Sequence, residues 1–188
     1  MTGIKSTRVI ANGKIFPATV CFENGKIIAV SESDEKLDRL IDVGDSYVSA
    51  GFIDIHTHGG DGCDFSKGTF EVIKGSNFHL THGTTSICPT ISAMDFPSMA
   101  KAVEYVEAAM NDARTLPNVI GAHLEGPYLS KEQCGAQCPT FIKAPDPEEY
   151  VELIENHGNA IARWTYAPEN DDGSFAKYAS EPTAIILP

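Results

Sequence analysis

Hydrophobic and polar positions alternate in two different ways along this 188-residue chain. Up to about residue 50, short runs of Val, Ile and Phe flank two Asn-Gly pairs, Asn12-Gly13 and Asn24-Gly25. Asn-Gly between alternating hydrophobic residues is typical of the tight turn of a β-hairpin. The pattern therefore predicts a small, β-sandwich-like N-terminal module over residues 1–50.

From residue 51 onward, hydrophobic runs alternate with segments of helical periodicity. Strands are predicted at residues 52–56, 84–88 (ended by Pro89), 119–124, 160–166 and 184–187, the first of them buried. Helices are predicted at residues 69–82, 96–110 and 174–180, with another that begins after Asp146. Strands separated by helices indicate a parallel sheet with right-handed crossovers.

This alternation predicts an α/β fold, an incomplete (β/α) TIM-type barrel of about four to five β/α units. A complete eight-unit barrel usually needs roughly 250 residues. Residues 51–188 are therefore expected to form the N-terminal part of a (β/α)8 barrel, truncated before the barrel closes.

The composition narrows the range of partners. A net charge of −12 argues against nucleic acid, because phosphate backbones require a basic surface. The five cysteines are odd in number and scattered, which favours a reduced, cytoplasmic protein. No apolar run approaches the ~18 residues of a membrane-spanning helix, so no membrane partner is expected.

Candidate metal ligands follow two of the predicted strands. His56 and His58 end the segment 51–59 (GFIDIHTHG), and Glu125 ends the strand of segment 121–127 (GAHLEGP). Residues two apart on a strand point to the same face. Active sites of β/α barrels form where their strands end, so we predict a divalent-metal site made by these three side chains.

Less specific interpretations of the same residues remain open. His56 and His58 could be hydrogen-bonded histidines at a strand end, and Glu125 could form a structural salt bridge. The loop that contains Ala136 and Gln137 could contact a substrate, because loops at this face of a barrel usually do so. An ordinary connecting loop would have a similar sequence.

The motifs together resemble those of the N-acetylglucosamine-6-phosphate deacetylases, in the amidohydrolase superfamily. The resemblance rests on segments 51–59 (GFIDIHTHG), 82–85 (HGTT) and 121–129 (GAHLEGPYL), with 135–137 (GAQ) and 167–169 (APE). It extends over roughly residues 8–181. The segment HLEGP is its most specific part, whereas His-x-His occurs in many amidohydrolases.

The resemblance implies an activity and a set of site residues. The activity is metal-dependent hydrolysis of N-acetylglucosamine 6-phosphate to glucosamine 6-phosphate and acetate, in amino-sugar catabolism. Glu125 would bind the metal, and His56 and His58 would bind a second ion in members that carry two. Ala136 and Gln137 would bind the sugar, although many members have His in place of Gln137. Zinc, iron, manganese or cobalt would suit these ligands, and the full-length family is commonly dimeric.

The resemblance also implies parts that this chain does not contain. The family's acid/base Asp and two further histidine ligands belong to later strands, and the likeness ends abruptly near Pro182. We therefore expect residues 182–188 to be out-of-frame or truncated sequence, and the chain by itself to be inactive. Two alternatives remain: a non-catalytic fragment that binds metal or sugar phosphate, or another amidohydrolase, dihydroorotase-like or deaminase-like.

Overall fold

The chain divides into two compact units, Met1–Gly51 and a unit that begins at Phe52. The structure is a computed structural model, and it describes residues 1–31 and 37–180. The strands of the first unit are β1 (Thr2–Ala11), β2 (Lys14–Glu23), β3 (Lys26–Ser31), β4 (Arg39–Asp42) and β5 (Tyr47–Val48). They form one sheet in the order β3-β2-β1-β4, with β5 also paired to β1.

Both predicted hairpins are present in the first unit. Asn12 and Gly13 join β1 to β2, and Asn24 and Gly25 join β2 to β3, all four with positive φ. Such a pair of left-handed residues matches the twist of the adjoining strands. A sandwich needs a second sheet, so the sandwich-like arrangement of residues 1–50 stays a prediction.

The second unit alternates strands and helices, as predicted. Its elements are β6 (Phe52–Thr57), β7 (Gly59–Gly60), β8 (Cys63–Asp64), α1 (Thr69–Leu80), β9 (Thr84–Ser92), α2 (Phe96–Met110), β10 (Asn118–Val119), β11 (Ala122–Glu125), α3 (Pro147–His157), β12 (Ile161–Thr165) and α4 (Ser174–Ser180). Short 3₁₀ turns occur at Lys131–Gln133, Gly158–Ala160 and Pro168–Asn170.

The principal strands of this unit lie side by side in the order in which they occur in the chain. β6 pairs with β9, β9 with β10 and β11, and β11 with β12, all parallel. Each helix contacts the next helix along the chain. Sequential parallel strands with helical crossovers are the arrangement of a β/α barrel wall. The predicted strand at 184–187 lies outside the described residues.

Three sequence predictions about these strands were wrong in detail. β6 was expected to be buried, yet Phe52, Ile53 and Ile55 are 67%, 66% and 49% exposed, because among the described strands β6 pairs only with β9. β9 does not end at Pro89. The ladder with β6 shifts register just before Thr57, which pairs with Pro89, and the Thr57 backbone N–H donates to Thr90 Oγ1 at 2.9 Å. This irregularity accommodates proline, which has no N–H to donate to the ladder.

The third correction concerns residues 119–124, which were expected to form one strand. They are divided between β10 and β11 at Gly121. Gly121 has a φ of 146°, a conformation that side chains disfavour, and a Cβ there would lie 3.0 Å from Ala160 O and from Ala162 N. The backbone of the next strand therefore approaches closely, and only glycine fits.

Helix positions agree with the sequence signals. The Asp95 carboxylate accepts a hydrogen bond from the Ser98 amide at 3.0 Å, and the Asp146 carboxylate accepts one from Glu148 at 3.2 Å. Both are N-caps followed by proline in the first turn. In the described part of the chain, no helix is long and apolar enough to cross a bilayer.

The hydrophobic core lies between the strands and the helices. Trp164 of β12 is fully buried, and its ring stacks on that of Tyr128 at 5.5 Å. Its indole N–H donates to the carbonyl of Gly126 at 2.9 Å. The core therefore supports the backbone immediately after Glu125, where a candidate metal ligand ends β11.

The tight fit at Gly121 gives a prediction about stability. Gly121→Ala is expected to lower the free energy of unfolding by about 2–3 kcal/mol, since the new methyl group combines backbone strain with overpacking. Urea unfolding followed by circular dichroism measures this loss. Gly173→Ala is the matched control, because Gly173 has a φ of 94° and nothing within 4 Å of its Cβ position. A loss no greater than that of the control would contradict the prediction.

Candidate metal centre

Three candidate ligands predicted from the sequence meet at one point. His56 Nε2 and His58 Nε2 are 3.3 Å apart. Glu125 Oε1 is 3.4 Å from His56 Nε2, and Glu125 Oε2 is 3.2 Å from His58 Nε2. Within the described ranges, this trio is the only group of three or more His, Cys, Asp or Glu residues with metal-ligand spacing.

The local structure explains how residues distant in sequence converge. His56 lies near the end of β6, His58 directly follows that strand, and Glu125 is the last residue of β11. β9 lies between the two strands and pairs with both. Because the strands are parallel, their carboxyl ends lie at the same edge of the sheet.

The spacing of the trio fits a metal ion. At metal–ligand distances of ~2.0–2.1 Å, tetrahedral ligand atoms lie roughly 3.3 Å apart. The two imidazole nitrogens have this separation, and each of them is at a similar distance from a different oxygen of Glu125. Two imidazoles and a carboxylate are a donor set suited to zinc, iron, manganese or cobalt. The His56 and His58 side chains are 43% and 46% exposed, and that of Glu125 is 20% exposed, so the donor atoms are accessible.

Neighbouring polar groups orient two of the three ligands. Ser92 Oγ lies 3.1 Å from Nδ1 of His58, which directs Nε2 toward Glu125. The Gln137 side chain donates through Nε2 to Glu125 Oε2 at 2.5 Å and accepts at Oε1 from the Ala93 amide at 2.9 Å. Such partners commonly fix the orientation of metal-binding side chains.

His123 lies beneath the trio and does not join it. Its ring is fully buried and makes an edge contact with that of His56, with 4.7 Å between the centroids. Its two nitrogens lie 3.1 Å from Thr90 Oγ1 and 2.8 Å from Thr165 Oγ1. Burial, helped by the charge of Arg163, lowers the pKa of His123 to about 3. The ring is therefore neutral, and it links β11 to the hydroxyl groups of β9 and β12.

The segment after His58 is fixed by a histidine of α1. His79 Nε2 lies 2.9 Å from the carbonyl oxygen of Gly59. A Cβ on Gly60 would lie 2.9 Å from the same nitrogen, so glycine is needed for this approach. This contact gives His79 a structural role. Residues 59–64 form the antiparallel pair β7 and β8.

An open cleft of about 770 Å³ adjoins the trio. His58 and Glu125 line one side, and the loop containing Ala136 and Gln137 lines another. Cys134 and Cys138 also line the cleft but are not part of the metal-spaced group. None of the described residues that line the cleft is a lysine or arginine.

Ser92, Thr90 and Thr165 were not identified from the sequence as parts of the site. Thr90 and Ser92 are two residues apart on β9, and Thr165 ends β12, so their spacing and position gave a usable signal. Hydroxyl side chains are common in strands, however. Only the pairing of β9 with β6 and β11 indicates which hydroxyl meets which imidazole.

Comparison with known proteins confirms the resemblance indicated by the sequence. The N-acetylglucosamine-6-phosphate deacetylase of Danio rerio is 29% identical over 201 residues, which cover 100% of this chain and 48% of the relative. That of Haemophilus influenzae is 32% identical over 171 residues, covering 89% of this chain and 41% of the relative. No family model matches the chain.

Comparison with solved structures also finds N-acetylglucosamine-6-phosphate deacetylases. A variant deacetylase of Mycobacterium smegmatis, determined in complex with N-acetyl-D-glucosamine-6-phosphate, matches with a TM-score of 0.85 and 25% identity. The match covers 99% of this chain and 48% of that structure. The chain spans less than half the length of these relatives, which is consistent with their N-terminal half.

Proposed function

We propose that this chain is the metal-binding N-terminal part of an enzyme that deacetylates N-acetylglucosamine 6-phosphate. The products would be glucosamine 6-phosphate and acetate. The observation that carries the proposal is the trio His56, His58 and Glu125, with ligand atoms within 4.8 Å of one another. The similarity to deacetylases over the whole chain supports the choice of reaction.

His56, His58 and Glu125 would hold one or two divalent ions, of zinc, iron, manganese or cobalt. Such an ion would supply Lewis-acid chemistry: it would polarise the acetamide carbonyl and lower the pKa of water. The residues of the chain fix the site for this chemistry. Ser92 orients His58, and the neutral ring of His123 adds no positive charge beneath the metal ligands.

Ala136 and Gln137 are proposed to contact the substrate, because both line the cleft beside Glu125. The Gln137 amide uses one donor and one acceptor within the protein, which leaves a second of each for a sugar. The described lining has no lysine or arginine. It therefore suits the acetamide end of the substrate, and the phosphate would bind elsewhere.

The 188 residues alone are proposed to be catalytically inactive. In the family that the chain resembles, the acid/base Asp and two more histidine ligands lie in the later barrel strands. A complete enzyme of this kind would be a cytoplasmic homodimer. Without an acid to protonate the leaving amine, hydrolysis loses an expected factor of ~10²–10⁴.

Measuring acetate release tests this proposal. The 188-residue chain and a chimera of residues 1–180 with the C-terminal part of the Haemophilus influenzae enzyme would be assayed with N-acetylglucosamine 6-phosphate and added Zn²⁺ or Mn²⁺. The chimera is expected to release acetate and glucosamine 6-phosphate in equal amounts, and the chain alone none.

Two further results would separate the alternatives. A chimera that folds and binds metal but releases no acetate contradicts the deacetylase proposal. Substrate binding without turnover by that chimera would instead favour a non-catalytic fragment, and release of ammonia would favour a deaminase-like amidohydrolase. Glu125→Gln in an active chimera serves as the negative control.

A further inference from the structure

Gln137 connects two strand ends through a single side-chain amide. Its Oε1 accepts from the backbone N–H of Ala93, directly after β9, at 2.9 Å. Its Nε2 donates to Glu125 Oε2, at the end of β11, at 2.5 Å. The two contacts fix which end of the amide is oxygen, because a backbone N–H needs an acceptor and a carboxylate needs a donor.

The contact determines how the Glu125 carboxylate is turned. Oε2 receives the Gln137 N–H and lies 3.2 Å from His58 Nε2, while Oε1 lies 3.4 Å from His56 Nε2. With one oxygen held, rotation of the carboxylate about its terminal bond is restricted. Each oxygen then faces the Nε2 atom of one imidazole of the trio.

The anchor for this contact is rigid. Ala93 is only 7% exposed, and its backbone N–H donates to the Gln137 side chain. The loop itself contains a turn in which the backbone N–H of Gln137 donates to the backbone carbonyl of Cys134 at 3.0 Å. Gln137 is therefore held at its backbone by the turn and at its side-chain amide by Ala93, and from this position it reaches Glu125.

We propose that Gln137 is a positioning residue that holds the Glu125 carboxylate in its metal-binding orientation. This inference rests on the metal site of the proposed function and extends it. Partners of this kind typically contribute 10–100-fold to metal affinity. Gln137 would thus act on the metal through Glu125, in addition to any contact with a sugar.

The test measures the Zn²⁺ dissociation constant of the 188-residue chain by competition with a chromophoric chelator, without substrate. Gln137→Ala is expected to weaken Zn²⁺ binding about 10–100-fold. Gln137→His keeps an N–H donor of similar reach and is expected to recover most of the affinity. A merely structural loop contact would not produce this rescue.

Gln133→Ala is the matched control. Gln133 lies in the same loop, and its side chain has no hydrogen bond to Glu125 within the described residues. Its replacement is expected to leave Zn²⁺ affinity unchanged. Circular dichroism melts of all variants would separate loss of affinity from loss of fold.

The outcomes distinguish this inference from the proposed function. Unchanged Zn²⁺ affinity in Gln137→Ala, while Glu125→Gln loses binding, would overturn the positioning role and leave the metal site standing. Equal losses in Gln137→Ala and Gln137→His would also overturn it. If the unmodified chain does not bind Zn²⁺, the proposed metal site fails, and the inference fails with it.

Discussion

Glu125→Gln is expected to weaken Zn²⁺ binding by more than about 100-fold, beyond the effect of removing any orienting partner. Glu125 is the only acidic member of the trio, and its oxygens lie 3.4 Å and 3.2 Å from the two imidazole nitrogens. Glutamine keeps the shape but removes the negative charge that balances a divalent ion. Chelator competition followed by calorimetric titration measures the loss.

Glu132→Gln controls for the overall change in charge. Glu132 lies in the segment after β11, the strand that Glu125 ends, but it is exposed. Its carboxylate accepts a hydrogen bond from Ser130 Oγ at 2.9 Å. It is not part of the trio, so its replacement is expected to leave Zn²⁺ affinity unchanged. Zn²⁺ binding by Glu125→Gln at the unmodified affinity would show that the three side chains are a structural hydrogen-bonded group.

Trp164→Ala is expected to cost about 3–5 kcal/mol of unfolding free energy. The indole is fully buried among the rings of Tyr128 and Phe175, with centroid distances of 5.5 Å and 5.1 Å. Its removal leaves a cavity and also takes the hydrogen-bond donor away from the Gly126 carbonyl. Urea unfolding monitored by circular dichroism measures the change.

Trp164→Phe separates the two contributions. Phenylalanine retains an aromatic ring but has no N–H, so the Gly126 carbonyl loses its partner while most of the packing remains. A buried unsatisfied group typically costs about 1–3 kcal/mol, and we expect this variant to lie between the unmodified chain and Trp164→Ala. A loss below 1 kcal/mol in Trp164→Ala would contradict the role of Trp164 in the core.

Glu125→Gln and Trp164→Ala should also differ in their effects on metal binding. Trp164 supports Gly126, the residue next to Glu125, whereas Glu125 is itself a candidate ligand. Replacing Glu125 is expected to change the Zn²⁺ affinity with little change in the free energy of unfolding, because its carboxylate is partly exposed. Removing Trp164 changes stability first. Measuring both quantities on both variants therefore distinguishes the ligand from its support.

Local sequence determined most of the elements and the candidate ligands. Asn-Gly pairs defined the hairpin turns because consecutive residues with positive φ favour them. Asp95 and Asp146 defined helix starts because their carboxylates satisfy free amides of the first turn. His56, His58 and Glu125 were identifiable because strand ends and residue chemistry are both local properties.

Only the tertiary structure decided how these pieces meet. Strand order placed β9 between the two strands that carry the candidate ligands, and thereby brought Ser92 and Thr90 to the imidazoles of His58 and His123. The break at Gly121 and the exposure of β6 likewise depend on neighbouring strands. Hydrogen bonds between distant residues depend on pairing and register, which sequence periodicity does not contain. The hydrogen bond from Gln137 to Glu125 was likewise decided by the tertiary structure, because it requires a loop to fold back onto a strand end.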